Sequence, residues 1–160
     1  DVKLDSVVQV GAGGAGAAVA HAAMLLGVRK LYLNDIDPAK AQSVADSISA
    51  GFGRERVAVC TDIHAAMAQA DGMINATPIG MASYPGLPLP EECLKPNHWV
   101  AEIVYFPLET ELLKVARAKG CRTVDGGGMA VFQAVRAFQL FTGIEPDAER
   151  MKRHFTSLGA

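Results

Sequence analysis

Residues 7–16 read VVQVGAGGAG: a β-branched apolar run breaks into glycines and opens onto an alanine-rich segment, 17–26. Such a stretch commits a chain to a strand, a tight turn and a helix in immediate succession. Gly11, Gly13 and Gly16 fall at the spacing G-x-G-x-x-G. In that pattern the first glycine permits the turn, the second lets the backbone approach a pyrophosphate, and the third lets the helix pack closely on the strand. The opening amides of the helix have no partner within it and stand at the positive end of its dipole, so they suit an anion.

A glycine turn by itself can be no more than a sharp bend, and its surroundings decide between the readings. The helix runs to about residue 26 and Gly27 ends it. Residues 30–34, KLYLN, read as a second strand, with Asp35 at its carboxyl end. Asp35 stands 19 residues beyond Gly16, close to the roughly 20 expected of an acid that holds an adenosine ribose. Asp37 as N-cap and Pro38 at the first helical position start a second helix, which runs to about residue 49 and is closed by Gly51 and Gly53. A third strand over 56–60 completes β-α-β-α-β, half of a doubly wound sheet with right-handed crossovers.

The remainder continues the alternation. Asp62 caps a short helix over 63–69, a strand covers 72–75, and the loop 76–81 is followed by a Pro/Gly/Ser-rich stretch, 82–90. A short helix over 91–94, a strand over 98–104, a helix over 108–119 and a short strand over 122–124 come next. The turn 125–128, DGGG, leads into a long helix, 129–141, capped by Gly143, and a last helix starts at Pro146 and frays near Gly159. The fold class is therefore α/β: a Rossmann-like, doubly wound, mostly parallel six-stranded sheet with helices on both faces. Ligands of such sheets bind beyond the carboxyl ends of the strands. Four loops reach that edge: the glycine turn, the Asp35 turn, 76–81 and 125–128.

The totals exclude several classes. At 160 residues the chain is one domain by length, and a net charge of −2 removes the footprint of a nucleic-acid binder. No apolar run approaches the roughly 18 residues of a membrane span, and no signal segment opens the chain. Cys60, Cys93 and Cys121 lack metal-like spacing and read as unpaired thiols in a reducing, cytoplasmic compartment. His21, His64, His98 and His154 are scattered, so no metal site is expected and each reads as a surface or capping residue. The first strand follows only six residues that lack an initiator methionine, which reads as a fragment or a processed chain.

Four ordered stretches carry a resemblance. NATPIGM (75–81), EIVYFPLETELL (102–113) and DGGGMAVFQAVRAFQLFTG (125–143) follow GAGGAG, and together they resemble the cofactor-binding half of shikimate and quinate dehydrogenases. The similarity covers about 7–158. In that family a hydride passes between a nicotinamide cofactor and the ring carbon bearing a hydroxyl in shikimate or quinate, in aromatic amino acid biosynthesis or quinate catabolism.

The resemblance implies roles for particular residues. The amides around Ala12, Gly13, Gly14 and Ala15 face the pyrophosphate, and Asp35 accepts hydrogen bonds from the adenosine ribose. NADP-preferring members carry a basic Asn-Arg-Ser/Thr run at this turn, whereas this chain has Asn34-Asp35-Ile36. A 2′-phosphate there meets like charge, so NAD is expected over NADP. Lys40, on the first turn of the next helix, reaches the adenosine end or stays a solvated cation. Thr77, Ile79, Gly80 and Met81 lie beside the nicotinamide ribose and ring, and Val104, Gly126 and Met129 complete that pocket. Tyr105 and Gln133 face the small-molecule substrate, with Gln133 on the helical face of Met129. Asp125 reads as a turn or cap residue rather than an acid.

One departure is large. The family's catalytic lysine and aspartate belong to an N-terminal substrate domain, and neither motif occurs in these 160 residues. No catalytic residue is therefore assigned here, and the chain alone is expected to bind dinucleotide without turnover. A dinucleotide-responsive regulatory module on the same fold is the alternative. The choice of shikimate or quinate, and whether the protein is a homodimer, stay open.

Overall fold

The structure, a computed structural model, describes residues 2–158. Six strands form one sheet in the order β3-β2-β1-β4-β5-β6, and every neighbouring pair is parallel. They are β1 (Ser6–Val10), β2 (Lys30–Asn34), β3 (Val57–Val59), β4 (Gly72–Asn75), β5 (Trp99–Glu102) and β6 (Arg122–Val124). The expected mostly parallel sheet is thus wholly parallel among the described residues.

Parallel strands need crossovers that cover both faces, so their sequences run apolar without strict alternation. In β1, Val7 turns to one face and Val8 and Val10 to the other. Val7 packs with Leu31, Leu33 and Ile74 beneath α1 (Gly14–Leu25) and α2 (Pro38–Phe52). Val8 and Val10 pack with Met73 and Val100 beneath α3 (Ile63–Ala68) and α4 (Glu111–Ala118). The chain winds outward from β1 to β3, then returns past β1 to β4. The crevice opens at that reversal, beyond Val10 and Asn75, which are paired in register.

The helix starts obey local chemistry. Asp37 accepts from the Ala39 amide at 3.0 Å, Asp62 from Ala65 at 3.0 Å, and Thr110 from Leu113 at 3.3 Å. A side-chain cap of this kind contributes about 1 kcal/mol. Several boundaries differ from expectation. α2 runs through Gly51, around which space is open, and stops only at Gly53, whose φ is +99°. The helix expected from residue 108 begins at Glu111 behind its Thr110 cap. α5 (Gly127–Thr142) starts two residues early because Asp125 accepts from the Gly127 amide at 2.9 Å. α6 (Ala148–Leu158) starts after Pro146 rather than at it; Asp1 and Gly159 lie outside the described residues. Residues 91–94 shorten to a 3₁₀ turn, Glu91–Cys93.

Among the described residues no helix is long and apolar enough to cross a membrane. All three cysteines are free thiols, and burial pushes each above the usual thiol range.

His98 takes one of the two roles expected of it, capping a turn, and does so from the interior. It is 2% exposed, just before β5, and its Nδ1 accepts from the Lys95 amide at 3.2 Å. Burial, then the nearby Lys95 ammonium, lowers its pKa below the usual 6.5, against a backbone bond to Met67 and the charge of Asp71. The folded chain therefore binds this proton less readily than the unfolded chain. The corresponding stability is complete above the usual histidine value and drains as pH falls toward the lowered one. Thermal denaturation between about pH 7.5 and about pH 5 should show this loss. His98→Asn, a neutral residue offering an acceptor near the same place, should flatten it; an equal pH slope in both proteins would contradict the assignment.

Candidate functional site

The glycine turn is seated on the end of β4, backbone against backbone. Gly11 has φ +99°, and a Cβ there would stand 2.5 Å from the Ala76 carbonyl oxygen and 2.9 Å from the Thr77 nitrogen. A Cβ on Gly16 would collide with the Gly11 carbonyl. Beneath the turn Gln9, fully buried in β1, donates from Nε2 to the Gly11 oxygen at 2.9 Å and the Gly16 oxygen at 2.8 Å. Gly13 differs: it is exposed, with open space where a Cβ would go. It is the N-cap of α1, offers no capping side chain, and no acid stands in the first turn. The opening amides of α1 at Gly14 and Ala15, both exposed, so keep the anion-seeking character of an uncapped helix start.

Asp35 closes the other side of this turn. Its Oδ2 accepts from the Ala12 amide at 2.7 Å and its Oδ1 from the Asp37 amide at 2.9 Å. The Ala12 N–H is therefore directed at Asp35, and the expectation that it faces a pyrophosphate is corrected. Each oxygen of an ionised carboxylate has a second lone pair, so Asp35 can still accept from a ligand's hydroxyls.

Two cavities line the carboxyl edge of the sheet. The smaller, about 430 Å³, is bounded by Gly11, Asp35, Ile36, Lys40, Ile79 and Tyr84. The larger, about 730 Å³, is bounded by Ala15, Met81, Val104, Tyr105, Met129 and Gln133. Gly13, Thr77 and Pro78 border both, so the cavities form one groove across the reversal point.

Most of the residues singled out in the sequence meet in this groove. Lys40 is exposed on the wall that also carries Asp35. Tyr105, 49% exposed, stands with its ring 6.5 Å from that of Phe155 on α6. Three residues stand outside the larger cavity. Ile79 borders the smaller cavity instead of the larger. Gly80 and Gly126 stand behind the walls: a Cβ on Gly80 (φ +113°) would come within 3.1 Å of the Thr110 Cγ2, and one on Gly126 within 2.5 Å of the Val104 oxygen. Their missing side chains let loops pack closely on loops.

Sequence reasoning passed over Gln9, Glu102, Ile36 and Tyr84. Gln9 and Glu102 were detectable only as polar residues inside apolar strands. Ile36 is fully exposed and Tyr84 57% exposed, and both face the smaller cavity. Glu102 is 3% exposed; burial pushes its carboxyl above the usual range, against hydrogen bonds from Val104, Asn75 and Thr110.

Comparison with known proteins sharpens the picture. Residues 126–154 match the family model for the shikimate 5′-dehydrogenase C-terminal domain. The quinate/shikimate dehydrogenase (NAD(+)) of Corynebacterium efficiens is 53% identical over 160 residues, 99% of this chain and 56% of the relative. The solved structure of quinate dehydrogenase from Corynebacterium glutamicum in complex with NAD superposes with a TM-score of 0.92 at 53% identity, covering 98% of this chain and 56% of that one. Along nearly its whole length the chain is similar to shikimate and quinate dehydrogenases. It spans about half the length of the relatives it matches. A shikimate dehydrogenase (NADP(+)) of Streptomyces avermitilis is 56% identical over 153 residues, 94% of this chain and 53% of the relative. Within this family, overall identity therefore does not separate the two cofactor names.

The glycines differ in what they tolerate. Gly11→Ala places a side chain at positive φ against backbone, and Gly16→Ala drives one into the Gly11 carbonyl. Each should cost more than about 1 kcal/mol, a fall in Tm of at least about 2–4 °C. Gly13→Ala should leave Tm nearly unchanged. Differential scanning calorimetry of the three variants checks this; equal losses would contradict it.

Proposed function

We propose that this chain binds NAD and forms the cofactor half of a dehydrogenase acting on quinate or shikimate. The observation that carries the reading is Asp35, a carboxylate at the tip of β2 facing the groove beside the uncapped start of α1. It favours a ribose with free hydroxyls and repels one carrying a 2′-phosphate. Charge-assisted hydrogen bonds to such hydroxyls contribute roughly 1.5–3 kcal/mol, and like charge across the same contact costs several kcal/mol. Because relatives named for NAD and for NADP are similarly close, this side chain is a sharper guide than identity. Lys40 moderates the preference from the same wall.

The first-turn amides from Gly13 to Ala15 would hold the pyrophosphate, and Thr77, Met81, Val104 and Met129 the nicotinamide ribose and ring. Bound there, the nicotinamide supplies the hydride acceptor or donor. Tyr105 and Gln133, at the mouth of the larger cavity, are placed to meet substrate hydroxyls; an amide can both donate and accept. The acid–base groups come from a further, N-terminal domain of the same polypeptide, so this chain alone binds without turnover. α5 also leaves Phe132, Phe138, Leu140 and Phe141 exposed around its circumference. The regulatory alternative has no counterpart among the relatives named above.

Titration calorimetry of the chain with NADH and NADPH tests the reading. NADH should bind more tightly. Asp35→Ala should weaken NADH by about ten-fold or more while leaving NADPH unchanged or improved, with Tm recorded because Asp35 also holds the Ala12 amide. NADPH binding as tight as NADH in the unaltered chain would overturn it.

A further inference from the structure

We propose that Glu102 is a positioning residue whose buried carboxylate fixes the spacing of the two loops that wall the dinucleotide groove. This deepens the NAD-binding reading and rests on it.

Glu102 ends β5 and Asn75 ends β4, and the two are register partners. One backbone bond follows, from the Ile103 amide to the Asn75 oxygen at 3.1 Å, and then the strands part to flank the crevice. Past that point side chains continue the connection. Asn75 Nδ2 donates to the Glu102 carboxylate at 2.9 and 3.1 Å, and the Val104 amide donates to Oε1 at 3.0 Å. Thr110 Oγ1 donates to Oε2 at 3.0 Å. A buried carboxylate is costly unless its lone pairs are taken. Here every one of these partners is a donor, the set that suits the ionised form.

The chain of bonds reaches the groove on both sides. The Asn75 Oδ1 accepts from the Thr77 amide at 3.1 Å and the Thr77 hydroxyl at 2.7 Å, and its Nδ2 also donates to the Ile79 oxygen at 2.9 Å. The Thr77 hydroxyl in turn accepts from the Ile79 amide at 3.1 Å. Thr77 and Ile79 belong to one wall, and Val104 leads into Tyr105 on the other. Glu102 touches neither cavity, yet it links both walls through a single side chain. An amide in its place offers one acceptor oxygen; the Thr110 hydroxyl can turn to accept from its NH2 group, but Asn75 Nδ2 lies against both oxygen positions, so whichever way the amide turns an Asn75 bond is lost.

A purely fold-stabilising role predicts something different, and the bonds provide the comparison. Thr110 anchors the carboxylate on the α4 side; it packs behind Gly80 but lines neither cavity. Glu102→Gln should weaken NADH about ten-fold by calorimetry at a temperature where circular dichroism shows the variant fully folded. Thr110→Ala should lower Tm but leave NADH affinity within about two-fold. Asn75→Ala should match the loss in Glu102→Gln, and the double variant should lose no more than either alone, because one link has been cut. Asn75→Ala carries the comparison if Glu102→Gln does not fold. Additive losses, unchanged NADH affinity in the folded variants, or an equal loss in Thr110→Ala would overturn the proposal. Failure of the unaltered chain to bind NADH would instead sink the reading beneath it, and the proposal with it.

Discussion

The whole carboxyl edge of this molecule depends on one close approach, that of the β1–α1 turn to the end of β4. At Gly11 the two backbones come so near that a single methyl group would meet a carbonyl at 2.5 Å. Gly16 brings the start of α1 equally close to the turn, and Gln9 fastens both carbonyls from below. Because the turn is held down by backbone, the opening of α1 is raised toward the crevice where the strand order reverses. The uncapped amides, the Asp35 carboxylate and the loop after β4 then face one another without further adjustment.

Charge completes what that seating begins. The site pairs a positive helix start with a carboxylate at the tip of the adjacent strand, and Asp35 serves the fold and, in the proposed reading, the ligand as well. One lone pair on each oxygen fixes the Ala12 and Asp37 amides, which holds the carboxylate in place before any ribose arrives. Such pre-positioning lowers the ordering cost of binding. In the proposed reading it also lets a short acid discriminate against phosphate: held by two amides, it does not swing freely away from a like charge.

What could be read from the residues followed from how local each rule is. The caps at Asp37 and Asp62 depend on neighbours a few residues away, and their geometry is as their chemistry requires; the glycine spacing and Asp35 fall within one β-α-β unit, whose pattern is still short enough to read. The parallel order of strands followed from the alternation of elements. Glu102 and Asn75, by contrast, lie 27 residues apart in sequence and acquire meaning only when β4 and β5 pair. His98 was legible as a surface or capping residue, and it caps, but nothing nearby in sequence reveals that the turn folds it inward. Gly80 and Gly126 were legible as important glycines, but not as spacers behind the walls, since that depends on Thr110 and Val104 arriving from elsewhere. The same limit moved the Ala12 amide from ligand to Asp35.

The central claim is that a dinucleotide lies across the reversal point, spanning both cavities. Heteronuclear NMR of the labelled chain titrated with NADH addresses it most directly. The account predicts that the amides of Gly13, Gly14, Ala15, Thr77 and Val104 shift together along one saturating curve, with Asp35 and Ile36 moving in step. Shifts gathered instead on the far face of β5 and β6, around Trp99 and Val124, or the absence of a saturating response, would contradict it.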